Sequence, residues 1–271
     1  MDFTTLKIEL DGPVARLLLN RPDKANAMSE AMWQELPKAA AWINSQKQIR
    51  VVILAGAGKH FTAGIDLEVL SGLSQRVLGP GCPARAREYL REWILGAQAS
   101  ITAIENIRVP VIAAVQGACV GAGVDIIGAC DLRYSTVDAK FCIKEVDLAV
   151  VADVGTVQRL RHVIGYARTA ELTYTGETFT GSKAEAIGLV SATYATGEEL
   201  MASVDALAKS LAAKSPLTVR GVKQSLLYSR DHTVAEGLEF VAGWNAAMLI
   251  SADLKEAVSA WLGKRPALFE D

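Results

Sequence analysis

Histidine and cysteine are scarce in this chain, with three and four among 271 residues. His60, His162 and His232 stand far apart, which argues against a histidine-built metal site. Cys82, Cys119, Cys130 and Cys142 form no Cys-x-x-Cys pair, and no histidine lies at ligand spacing from them. They read as small buried hydrophobes rather than as metal ligands or nucleophiles. An excess of one charge is missing too: 28 Lys and Arg face 30 Asp and Glu, for a formal net charge of −2. No global basic field exists to hold nucleic acid or an anionic membrane, which leaves room only for a local basic pocket. No apolar run reaches bilayer length, and the longest candidates, such as residues 109–115, are strand-length. Residues 1–5 show no basic segment followed by an apolar core, and no Arg-rich presequence. Leu268-Phe269-Glu270-Asp271 is no peroxisomal tripeptide. The expectation is a cytoplasmic protein with no nucleic-acid or membrane partner.

What the chain has is an ordinary globular balance, 51% hydrophobic and 21% charged, enough for one core and a small second unit. Residues 7–10 and 15–19 read as strands around the hairpin turn Asp11-Gly12. Ser29 opens a helical pattern over 29–44, with Met32, Leu36, Ala40 and Ile43 on one face; Pro37 inside it predicts a kink or break. Residues 51–55 and 111–115 are unalternated apolar strands, buried on both faces. A helix is expected over 83–107, a short apolar helix from the Gly/Ala-rich stretch 117–123, and strands over 132–135 and 140–143. Strand, glycine turn, helix and strand recur, which suggests an α/β core with stacked repeats. After residue 194 the pattern is helical: 198–213, then a helix capped by Ser215-Pro216, then 234–250 and 252–261. The expected division is a core over 1–196 and a helical region over 197–271.

Three carboxylates lie in apolar, glycine-rich text: Asp125 in Gly121-Ala122-Gly123-Val124-Asp125, Glu145 in Ile143-Lys144-Glu145-Val146, and Asp153 in Val151-Ala152-Asp153-Val154-Gly155. Carboxylates are almost never fully buried unless something pairs with them or uses them. Burial raises a carboxyl pKa, and two close together raise one another further. Such groups can take and return protons near neutral pH. Asp153 reads equally as a helix N-cap before Thr156. Asp131 and Arg133 read as an ion pair at a strand start, and Asp147 as a surface residue.

Three segments carry a resemblance: His60-Phe61-Thr62-Ala63-Gly64-Ile65-Asp66-Leu67, the stretch Val109-Pro110-Val111 to Gln116-Gly117, and Gly121-Ala122-Gly123-Val124-Asp125 through Cys130-Asp131-Leu132-Arg133. In this order and spacing they resemble the enoyl-CoA hydratase/isomerase (crotonase) superfamily over nearly the whole chain. The resemblance implies an α/β, ClpP-like fold of repeated ββα units, with two roughly perpendicular sheets and a C-terminal helical region that builds trimers or dimers of trimers. It implies a coenzyme A thioester as substrate and no separate cofactor or metal. It also implies an oxyanion hole from the backbone N–H groups of Ile65 and Ala122. Donors aimed at a developing enolate oxygen are worth roughly 2.7–4 kcal/mol each. Lys24, Ala25 and Ala27, in Arg21-Pro22-Asp23-Lys24-Ala25-Asn26-Ala27, match the family's loop over the adenosine part of coenzyme A. Ala63, Gly64, Asp66 and Leu67 match positions that line the ligand.

Hydratases of this family use two glutamates, matched here by Asp125 and Glu145. Asp125 is one methylene short, which withdraws its carboxylate by about 1.5 Å. Asp125, Glu145 and Asp153 together match the dienoyl-CoA isomerase subgroup, as do Gln158-Arg159-Leu160 and Tyr228-Ser229-Arg230-Asp231-His232. The resemblance implies a shift of 3,5-dienoyl-CoA to 2,4-dienoyl-CoA in fatty-acid β-oxidation. Glu145 would serve carbon 2, Asp153 carbon 6, and Asp125 would tune the pair. The alternatives are an enoyl-CoA hydratase or a 3,2-enoyl-CoA isomerase of the same fold. More distant is a non-catalytic RNA-binding member, which would need a lysine-rich helical face.

Overall fold

The structure is a computed structural model and describes residues 3–271. The chain opens with β1 (Leu6–Asp11) and β2 (Val14–Leu19), the expected antiparallel pair, closed by Gly12 and Pro13, one residue on from the expected Asp11-Gly12 turn because Asp11 still pairs with Val14. Then come α1 (Glu30–Ser45), β3 (Val51–Gly56), α2 (Leu67–Leu78), α3 (Pro83–Glu105) and β4 (Val111–Val115). The middle holds β5 (Ala118–Val120), α4 (Ala122–Gly128), β6 (Leu132–Thr136) and β7 (Lys140–Cys142). A 3-10 turn, Glu145–Leu148, leads to α5 (Thr156–Leu160), α6 (Gly165–Thr175), β8 (Phe179–Thr180), α7 (Gly181–Ala186) and β9 (Thr193–Tyr194). The tail is α8 (Gly197–Ala212), α9 (Pro216–Asp231), α10 (Val234–Met248) and α11 (Ala252–Leu262).

Two sheets result. The larger runs β1-β2-β3-β4-β6-β9, parallel from β2 onward, and the smaller runs β5-β7-β8. The unalternated apolar strands are buried on both faces, as expected. Val51, Ile53 and Ala55 of β3 point to one side, where Leu200, Val204, Ala208 and Ala212 of α8 cover them. Val52 and Leu54 point to the other, into the core shared with Met32, Leu36 and Ile43 of α1 and Ile101 and Ile104 of α3. This is the period-two alternation of a strand read against two apolar layers. The first tail helix is therefore the second cover of the large sheet.

Of the expected kink or break at Pro37 the break does not occur: α1 runs unbroken from Glu30 to Ser45, with Ser29 as N-cap. A proline removes the N–H that would bond the carbonyl four residues back, here Trp33. The Ser100 hydroxyl of α3 lies 2.7 Å from that carbonyl and replaces the missing donor. The expected Asp131–Arg133 pair is also corrected. Asp131 accepts from the Val111 N–H and pairs with the buried Lys223, while Arg133 donates to the carbonyls of Leu189, Ile127 and Cys130. The Asp131 carboxylate is already engaged by Lys223 and the Val111 N–H, so the Arg133 guanidinium serves the buried carbonyls instead. Cys119, Cys130 and Cys142 are buried, and Cys82 is exposed at the start of α3. No helix among the described residues is long and apolar enough to cross a membrane.

Candidate active site

Four chain segments run side by side where the two sheets meet. Met28 bridges Ile65, and Thr62 bridges Cys119, both in parallel sense. The Met28 N–H donates to Gly64 and the Asp66 N–H to Met28, while Thr62 donates to Ala118 and Val120 to Thr62. β5 in turn pairs with β7, and the Gly121 N–H donates to Cys142. A parallel bridge uses the groups flanking one residue and turns that residue's own N–H the other way. The Ile65 N–H is such a group. Ala122 is the first residue of α4, whose opening N–H groups lack intrahelical acceptors. Among the described residues, neither the Ile65 nor the Ala122 N–H has a backbone acceptor.

Gly64 brings the two donors together. Its φ is +92°, and a Cβ there would stand 2.8 Å from the Val120 carbonyl oxygen and 3.8 Å from the Ala122 nitrogen. Only glycine lets the 62–66 segment approach α4 this closely. Thr62, fully buried, braces the turn: its hydroxyl donates to the Asn26 carbonyl and accepts from the Gly64 N–H.

Glu145 follows β7 and opens the 3-10 turn. Its carboxylate lies against Gly121, with Oε1 3.3 Å from where a Cβ of that glycine would be. This sets it one residue from the Ala122 N–H. Burial raises the Glu145 carboxyl, its own and Lys144's backbone N–H groups oppose that, and Asp153 nearby raises it again. Burial likewise raises Asp153, against its own N–H. Asp153 does not cap α5: the N-cap is Gly155, which has no side chain to do so. That task falls to Asp125, on the first turn of α4. Its Oδ1 accepts from the Thr156 N–H at 2.6 Å and the Thr156 hydroxyl at 2.7 Å. Asp125 is fully buried, and burial pushes its carboxyl up to about 7, against the Thr156 bonds and with a further push from Glu145. Asp125 Oδ2 and Glu145 Oε2 are both buried without a protein partner. Unpaired buried carboxylate oxygens are costly, and they cluster where a reaction uses them.

The loop matched to coenzyme A binding also assembles beside these groups. Ala63 donates to the Ala25 carbonyl, and Arg21 bonds both the Ala27 carbonyl and Asp66. Asp66 caps α2 through the Glu68 N–H, and the Arg21 bond holds its carboxyl below the usual range. Lys24, Ala63 and Leu67 are exposed at the rim. The sequence reading assigned no role to Asn26, Thr62 or Thr156. Asn26 is fully buried, accepts from the Arg21 N–H, and donates to the carbonyls of Ala57 and His60, fixing the loop. A hydroxyl directly after Gly155 was the available signal for Thr156. Asp147 pairs with Lys144 at the surface, as expected.

Raised carboxyls beside main-chain N–H groups without backbone acceptors, on this mixed two-sheet scaffold, have the makings of a proton-transfer site. A family model described as enoyl-CoA hydratase/isomerase matches residues 9–271, and the chain belongs to that family. It is 49% identical to the Arabidopsis thaliana protein named Delta(3,5)-Delta(2,4)-dienoyl-CoA isomerase, peroxisomal, over 98% of this chain and 97% of that one. It is 44% identical to the Homo sapiens protein named Delta(3,5)-Delta(2,4)-dienoyl-CoA isomerase, mitochondrial, over 91% of this chain and 75% of that one. Among solved structures, a putative enoyl-CoA hydratase from Streptomyces coelicolor A3(2) superposes with a TM-score of 0.90 at 27% identity, covering 99% of this chain and 95% of that one. Enoyl-CoA hydratase from Bacillus anthracis gives 0.88 at 28% identity, covering 98% and 99%. The cytoplasmic expectation is overturned by these relatives, whose names place them in peroxisomes and mitochondria.

Proposed function

We propose that this chain is a dienoyl-CoA isomerase of fatty-acid β-oxidation, which converts 3,5-dienoyl-CoA to 2,4-dienoyl-CoA. One observation carries the reading: Glu145 lies against Gly121, beside the Ala122 N–H, with two more raised carboxyls close by. The thioester oxygen sits between the Ile65 and Ala122 N–H groups. Glu145 takes a proton from carbon 2, and the electron pair enters the enolate, whose charge those donors stabilise. Double bonds 3–4 and 5–6 become 2–3 and 4–5 as Asp153 gives its proton to carbon 6. One proton leaves and one arrives, so Glu145 ends protonated and Asp153 ionised. Burial raises both carboxyls and Asp153 raises Glu145 further, so the pair can hold one proton between them, which suits this starting state. Asp125 tunes the pair from its capped position. The chemistry calls for no metal or further cofactor. Lys24 reaches a phosphate of coenzyme A, while Ala25, Ala27, Ala63, Gly64, Asp66 and Leu67 shape the channel.

Ultraviolet monitoring of purified protein with a 3,5-dienoyl-CoA tests this, because conjugation with the thioester creates a new chromophore. No absorbance change beside brisk hydration of an enoyl-CoA would overturn it. Quaternary structure belongs to the same reading: a trimer, or a hexamer of two trimers. Its support is the apolar surface of the tail, where Leu238, Ile250 and Trp261 are 62%, 82% and 78% exposed. A stable monomer by light scattering at micromolar concentration would refute it.

A further inference from the structure

Behind the Asp153 loop lies a charge cluster that the proton shift itself does not use. Gln98, Thr102 and Glu105 share one face of α3, four and three residues apart. Glu105 is buried and accepts from Arg159 Nε at 3.1 Å and Nη2 at 3.3 Å; Arg230 of α9 pairs with the same carboxylate. Burial pushes the Glu105 carboxyl up, but the two guanidiniums together hold it below the usual range. A buried ion cluster is costly unless its members are fully bonded, and here the spare Arg159 donors are occupied. Nη2 reaches the Thr102 hydroxyl at 3.1 Å, and Nη1 reaches the Val154 carbonyl at 3.3 Å. Gln98 Nε2 donates to the next carbonyl along, Asp153, at 2.7 Å. Two consecutive peptide units at Asp153 are thus gripped from α3 and α5. The sequence makes room for the grip: Gly155 has φ +130°, and a Cβ there would stand 1.8 Å from Arg159 Nη1.

We propose that Arg159 and Gln98 are positioning residues that hold the Asp153 and Val154 peptides and so aim the Asp153 carboxylate at the far end of the substrate, with Arg230 tying this clamp to the helical tail. The inference rests on Asp153 acting at carbon 6. Arg159→Lys keeps a charge against Glu105 but cannot bridge carboxylate, hydroxyl and carbonyl at once. Misplacement by an ångström can cost about 10²-fold, and turnover of Arg159→Lys should fall by that order. Its KM should hold, and exchange of the carbon 2 proton with deuterated solvent should persist, since Glu145 and the oxyanion donors are untouched. Gln98→Met, uncharged and half-buried, should move the same way by less. Circular dichroism checks folding, and should Arg159→Lys not fold, Gln98→Met decides alone. Asp153→Asn runs alongside. If it turns over normally, the role given to Asp153 fails. If it is inactive while folded Arg159→Lys and Gln98→Met match the parent, the clamp is overturned. Equal loss of exchange and turnover in Gln98→Met also overturns it, because the damage is then general.

Discussion

At the end assigned to the thioester, both polar groups are main-chain N–H groups, placed by hydrogen bonds among the Met28, Thr62–Asp66 and Ala118–Ala122 segments. At the end assigned to the acids the groups are side chains on a helix turn, a 3-10 turn and a loop; the Thr156 N–H and hydroxyl hold Asp125, and Gln98 holds the Asp153 carbonyl. Main-chain donors survive most substitutions of their own residue and fail only when the backbone is forced to move. A side-chain acid fails with a single atom exchanged. Robustness lies at one end and discrimination at the other.

The strongest test of this contrast is at the acids. Glu145→Gln and Asp153→Asn should each lower turnover by about 10²–10⁴-fold while thioester binding stays nearly intact. Carbon 2 exchange should survive in Asp153→Asn and vanish in Glu145→Gln; the reverse pattern would swap their roles, and normal turnover in both would end the paired-carboxylate mechanism.

Asp125 gives a stability counterpart. Its folded pKa, about 7, lies above the ordinary 3.8. A raised folded pKa means stability that is present below the unfolded pKa and is lost as pH rises through the folded one. Against Asp125→Asn, the parent should therefore lose roughly 4 kcal/mol between about pH 4 and pH 8. Denaturant unfolding at several pH values measures the difference, and parallel pH profiles for the two proteins would contradict it.

The main-chain end breaks only through its glycine. Gly64→Ala must accommodate a Cβ 2.8 Å from the Val120 carbonyl oxygen at φ +92°. Displacing the donors should cost about 10²–10³-fold in kcat. A near-normal kcat in steady-state assays would mean that Gly64 does not set their separation.

The smallest effect concerns a side chain that substitutes for main chain. Ser100→Ala should destabilise by about 1–3 kcal/mol, because it leaves the Trp33 carbonyl unpaired. In a Pro37→Ala background the helix regains its own donor and the cost should shrink. Additive costs in a double-mutant cycle would refute this account of Pro37.

The sequence made the sheet legible because β3 and β4 are apolar without alternation, as strands buried on both faces must be. Ser29 and Ser215-Pro216 marked helix starts through local capping chemistry, which needs no tertiary information. Glu145 stood out as a carboxylate in apolar text. The clamp behind Asp153 did not, since Gln98, Glu105, Arg159 and Arg230 are ordinary surface types, paired across 54 and 125 residues for Arg159 and Arg230 with Glu105. α2 escaped because it buries no residue, so no apolar face is imposed on it. Thr156 was hidden because its partner lies 31 residues away.

That bare helix has a kinetic consequence. Local opening is easiest where little apolar surface is buried, and amide hydrogens there exchange with solvent first. α2 begins at Leu67, two residues after the Ile65 donor, while the strands on the other side of Ile65 are locked into the core. A hydrogen-exchange profile along residues 60–78 should show a steep step at Asp66. Ile65 would then stand at the border between slow and fast exchange within this segment, so the N–H assigned to the thioester oxygen would sit at the edge of a part that opens readily.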